Sequence, residues 1–149
     1  MNTLLKKILA FSACLFLLPT IATAATPNDS QATVRGTNFS FTNHTQTNVE
    51  LLVGDNRGSN TTKIADIAVN QTSPIDGQTI DLMCRIVSSR PNVDSCFLQV
   101  RKPGSFDRSS LIGQILYASK EGILNAASAT NYSVTFTKTA ITYTEWLPQ

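Results

Sequence analysis

Cys84 and Cys96 stand twelve residues apart, and their spacing raises the first chemical question in this sequence. A redox pair is normally spaced C-x-x-C, and a zinc site needs further ligands that this chain scarcely has. The third cysteine, Cys14, lies in an apolar N-terminal run. In an oxidising compartment the remaining two are expected to form one structural disulfide. A hairpin centred on Arg90 would set positions 84 and 96 opposite one another, close enough to bond. The segment between them, Ser88, Ser89, Arg90, Pro91, Asn92, Val93 and Asp94, would then be a presented loop and a candidate partner contact. Some protease inhibitors present an arginine this way, since a staple lowers the entropic cost of binding. Here Pro91 follows Arg90, a bond that trypsin-like enzymes disfavour.

Catalytic groups are sparse. The one histidine, His44, lies in the polar stretch Asn43-His44-Thr45, and a Ser-His-Asp triad would have to use it. No G-x-S-x-G motif occurs. Asp55, Asp66, Asp76, Asp81, Asp94 and Asp107 are mostly isolated, and no two form an acid–base pair by spacing. The segment Asp55 to Asn60 (DNRGSN) has oxygen ligands and a glycine but lacks the alternating acids and terminal glutamate of a calcium-binding loop. The expectation is therefore a protein without catalytic residues, metal or cofactor. A small hydrolase using loop carboxylates or His44 is the alternative, and a disulfide-loop protease inhibitor the second.

Tyr143 and Trp146 fall near the C-terminus. On an exposed sheet face they would stack on sugar or hold a partner; the plainer expectation is that Trp146 closes one end of the core. Six N-x-[ST] triplets begin at Asn28, Asn38, Asn43, Asn60, Asn70 and Asn131. With Ser and Thr making up 29 of residues 25–149, several arise by chance.

The elements that must position these residues begin with an export signal. Lys6 and Lys7 precede the apolar run Ile8 to Leu18, Pro19 breaks it, and Ala22-Thr23-Ala24 offers the small residues of a cleavage site. The run is too short to span a bilayer, which takes about 20 apolar residues. Residues 1–24 are expected to be a cleaved signal peptide and the protein to be secreted or periplasmic. Removing Lys6 and Lys7 leaves ten basic and ten acidic residues, a balance that argues against nucleic acid or anionic membranes as partners. No later segment is long and apolar enough to span a membrane. Another protein or an envelope component is the expected partner.

Residues 25–36 read as a flexible polar leader and 37–149 as one domain. Phe39 and Phe41 alternate with Ser40 and Thr42, and Val49, Leu51 and Val53 with Asn48, Glu50 and Leu52, as strands with one buried face do. So do Ile80, Leu82, Cys84 and Ile86; Cys96, Leu98 and Val100; Tyr132, Val134 and Phe136; and Ile141 and Tyr143. Pro74 to Gln78 reads as a turn, and Ile123 to Ala129 as either a strand or a helical turn. About seven or eight short strands and no long amphipathic helix predict an all-β fold: one antiparallel β-sandwich, immunoglobulin-like in architecture.

Overall fold

The computed structural model describes residues 36–54, 61–88 and 94–146. The expected signal peptide at 1–24 and the loop at 55–60 lie outside them, as does the leader except for Gly36. Within these limits the fold is mostly β: nine strands and one α-helix. Sheet A has the order β4-β1-β9-β8, and sheet B the order β3-β2-β5-β6-β7.

Sheet A contains β1 (Phe39–His44), β4 (Thr72–Ile75), β8 (Tyr132–Thr137) and β9 (Ala140–Glu145). Sheet B contains β2 (Val49–Gly54), β3 (Thr61–Ile67), β5 (Ser95–Arg101), β6 (Leu111–Ala118) and β7 (Gly122–Ser128). Pairing is antiparallel throughout except between β1 and β9, which run parallel in the middle of sheet A. The expectation of a purely antiparallel fold is corrected at this pair. Local turns dictate antiparallel neighbours, but β1 and β9 come from opposite ends of the domain, and no turn constrains their direction. Ile123 to Ala129 resolves as a strand, and Pro74, expected in a turn, sits in β4. Pro74 costs the sheet nothing there, because β4 is an edge strand and the missing N–H can face outward.

The alternating apolar residues of both sheets meet in one core. Phe39, Phe41, Ile75, Ile141 and Tyr143 come from sheet A; Val49, Leu51, Ile67, Leu98, Val100, Ile115 and Tyr117 come from sheet B. The Phe39 and Tyr117 rings lie 6.0 Å apart and span the two sheets, while Phe41 and Tyr143 stack 5.7 Å apart within sheet A. Burying each such side chain contributes about 1.5–3 kcal/mol. The Tyr143 hydroxyl crosses the core to the carbonyls of Gln114 and Ala127, at 3.2 and 3.1 Å. Gly113 makes room for it: a β-carbon there would lie 2.6 Å from the Tyr143 oxygen and 2.5 Å from the Ala127 carbonyl oxygen.

The largest correction concerns residues 80–87. They form not a strand but most of helix α1 (Gly77–Ser88). The period-2 alternation overlaps a helical one, since Ile80, Met83, Cys84 and Val87 recur at i, i+3, i+4 and i+7. The helical face is the one the core takes up: Ile80 and Cys84 are buried in it, and Met83 and Val87 pack against it. Leu82 and Ile86, two members of the alternating set, are left 50 % and 60 % exposed. Asp76 caps the helix, accepting bonds from the Gln78 and Thr79 N–H groups and from the Thr79 hydroxyl. The segment read as a turn, Pro74 to Gln78, thus holds the end of one element and the start of the next.

Candidate functional site

Cys84 and Cys96 are joined by a disulfide, with 5.9 Å between their α-carbons. The pairing is as expected; its setting is not. The bond ties α1 to β5 rather than one strand of a hairpin to the other. Cys96 keeps the inward register of Leu98 and Val100, and Cys84 meets it because it lies on the core-facing stripe of α1. Of the expected contact loop, Ser88 ends α1 and Asp94 precedes β5 as an exposed residue whose carbonyl accepts from the Ser119 N–H at 3.1 Å. Ser89, Arg90, Pro91, Asn92 and Val93 lie outside the described residues. With α1 in place, the segment is a helix-to-strand connection and not the tip of a hairpin.

The residues considered for catalysis are dispersed. His44 is exposed at the end of β1, and among the described residues no hydrogen bond links it to a serine or a carboxylate. Asp66 pairs with Lys63, at 3.0 Å, which also meets Glu50 at 3.3 Å; the two carboxylates hold the lysine above its ordinary pKa. Asp76 is occupied at the start of α1, and the Thr79 hydroxyl bond is the main reason its pKa lies below the ordinary range. Asp107 is held low in the same way, first by the Ser109 hydroxyl and then by the Ser110 N–H. Asp81 is buried and accepts a bond from the Ser119 hydroxyl. Burial, with the charge of Asp81 adding to it, pushes the Tyr117 hydroxyl well above the usual phenol range; burial alone does so for Tyr143. Among the described residues no three His, Cys, Asp or Glu side chains gather as metal ligands would.

Two surfaces remain. The outer face of sheet B carries a shallow depression of about 190 Å³ lined by Phe97, Gln114, Leu116, Asn125, Ala126 and Ala127. It lies below the range of about 300–1,000 Å³ typical of small-molecule sites.

The outer face of sheet A is more regular. β1, β4 and β9 turn their odd-numbered residues to the core and their even-numbered ones outward, and β8, by its pairing with β9, does the reverse. Thr72, Thr42, Thr142 and Thr135 are direct partners across all four strands. One step along lie Pro74, Ser40, Ala140 and Thr137; one step the other way lie His44, Thr144 and Ser133. Eight hydroxyls thus stand in three rows, about 4.8 Å apart across strands and about 6.8 Å apart along them. The Thr42 and Thr72 hydroxyls bond each other at 2.9 Å. These rows contain no Asp, Glu, Lys or Arg.

Trp146 continues this face. It follows Thr142 and Thr144 at the same period, and its backbone N–H is bonded to the Asn131 carbonyl at 2.9 Å. The expectation that it closes the core is corrected: Trp146 is 66 % exposed, whereas Tyr143 is fully buried. Trp146 continues the outward register of Thr142 and Thr144, on the side of β9 opposite Tyr143. Sequence reasoning missed the Thr rows because their alignment depends on which strands pair. The T-x-T pairs at 135–137 and 142–144 were the available signal.

Of the N-x-[ST] triplets, that at Asn43 is closed to modification in the fold. Asn43 is fully buried, and its amide nitrogen donates to the carbonyls of Thr47, Ile67 and Ala68.

No family, curated protein or solved structure matches this chain.

Proposed function

We propose that this chain is an exported, non-enzymatic recognition domain, a β-sandwich of immunoglobulin-like architecture that binds an envelope component through the outer face of sheet A. The observation that carries this reading is the in-register field of eight uncharged hydroxyls on that face. Ser and Thr on an outer strand face also serve solubility, but a sheet kept soluble usually mixes charges of both signs into such rows. The expected signal peptide at 1–24 supports export, and the shared core of the two sheets supports the sandwich. Folds of this architecture host many activities, so the reading rests on the face and not on the fold.

The test is retention of the purified exported protein on surface material from the producing cells. Lysines at Thr42, Thr135 and Thr142 should abolish retention without unfolding the domain, since these side chains point outward. Phe97→Ala on the opposite sheet should leave retention unchanged. Retention that ignores the three lysines would remove the face from the reading. Release of hydrolysis products from the same material, abolished by His44→Ala, would return the hydrolase. Export is checked by the N-terminus of the protein recovered outside the cytoplasm, expected at Ala25.

A further inference from the structure

We infer that the ligand of this face is a neutral polysaccharide, stacked on Trp146 and hydrogen-bonded by Thr142, Thr144 and Ser133. The inference rests on the recognition surface proposed above and names its ligand class. Three observations carry it. First, Trp146 is a large apolar side chain left 66 % exposed at the end of a polar face. Its backbone is tethered to Asn131, so the indole is carried on the sheet and not on a free tail. Second, the side chains beside it are short hydroxyl groups in register: Thr144 pairs with Ser133 on one side and with His44 on the other. Third, the rows hold no ionised side chain of Asp, Glu, Lys or Arg.

A pyranose ring has a C–H face and a rim of hydroxyls. An indole covers the first, and hydroxyls that both donate and accept match the second. A sulfated or uronic-acid glycan would find no Lys or Arg in these rows to receive its charge. A protein partner would call for a cluster of aromatic and aliphatic anchors at the centre of the contact, whereas among the described residues Trp146 is the one Phe, Tyr or Trp on this face. The face is also an open surface with a repeat along β9 of about 6.8 Å, which suits a chain laid along the strand better than a compact small molecule.

Trp146 is the single tryptophan of the protein, so intrinsic fluorescence reports from this one place. The full exported protein is titrated with neutral polysaccharides (laminarin, xyloglucan, mannan) and with charged ones (alginate, heparin). A saturable blue shift with at least one neutral glycan and with neither charged one is expected. Trp146→Ala should abolish retention of the protein in gels containing that glycan. Thr144→Val, which removes a hydroxyl at constant shape, should weaken binding about threefold to tenfold, the worth of one net hydrogen bond. An emission unmoved by every neutral glycan, a preference for a charged one, or full binding by Thr144→Val would each overturn the inference. If surface material is still retained and the lysine variants lose it, the recognition face stands and only its ligand class falls. If retention fails as well, both fall.

Discussion

Removing the Cys84–Cys96 bond gives the sharpest test of how α1 is held. The double variant Cys84→Ala, Cys96→Ala deletes a bridge of sequence separation 12. In the chain-entropy account, freeing a closed loop of this size returns about 3 kcal/mol to the unfolded state. Cys84 is buried in the core, so truncating it to alanine adds a packing loss of about 1 kcal/mol. A domain of this size has a stability of about 5–15 kcal/mol, so the variant should remain folded but lose a large share of its margin. With a urea m-value of about 2 kcal/mol per molar, the midpoint should fall by about 2 M. The assay is equilibrium urea unfolding followed by far-ultraviolet circular dichroism, with and without reductant. Reduced wild type should approach the double variant, apart from the packing term. The helix adds a second signature. Without the bridge, α1 keeps Ile80 and its Asp76 cap but loses its covalent hold on β5. Its amides at 77–88 should exchange hydrogen faster than those of β2 and β5. A midpoint shift below about 0.5 M at unchanged m-value would refute the reasoning, because the loop entropy would then be missing. Helix amides as protected as in the wild type would refute the second part.

Further outcomes follow from other contacts. Gly113→Ala forces a methyl against the Tyr143 ring and the Ala127 carbonyl, and should cost about 1–3 kcal/mol in denaturant unfolding; Tyr143→Phe, which removes only the hydroxyl, should cost about 1 kcal/mol. Asp76 has a folded-state pKa below its ordinary value of 3.8, so its stabilisation of α1 is complete above that pH and is lost as pH falls through the lower folded value. The Tm difference between wild type and Asp76→Ala should therefore be widest at neutral pH and shrink near pH 2; a constant difference would contradict the capping role. Trp146 should emit at long wavelength and be quenched freely by iodide in the unliganded protein, and a protected, blue-shifted emission would place the indole in the core after all.

The parts of this fold that could be read from sequence were those decided locally. Phe39 and Phe41, then Val49, Leu51 and Val53, and Ile141 with Tyr143 recur at period 2, and each set is buried in a strand; in β2 Leu52, on the other face, is buried as well. The cysteine pair was legible because the count and spacing left little else. Residues 80–87 were misread because two periodicities coexist there, and only the capping Asp76 favoured the helix. Trp146 is exposed because it follows Thr142 and Thr144 in the outward register of β9, which outweighs the usual tendency of a large apolar side chain to be buried.

By itself, the amino-acid order determined that the chain is mostly β, where most of its strands present an apolar face, and that Cys84 and Cys96 are spaced unlike a C-x-x-C redox pair. These follow from period-2 burial, turn chemistry and counting, none of which needs a partner strand. Tertiary structure decided that β1 runs parallel to β9, that the disulfide joins a helix to a strand, and that Thr72, Thr42, Thr142 and Thr135 form a single row. Each of these depends on which distant segments lie side by side, and that choice belongs to the packing of the whole core, because no local turn or propensity connects residues so far apart in the chain.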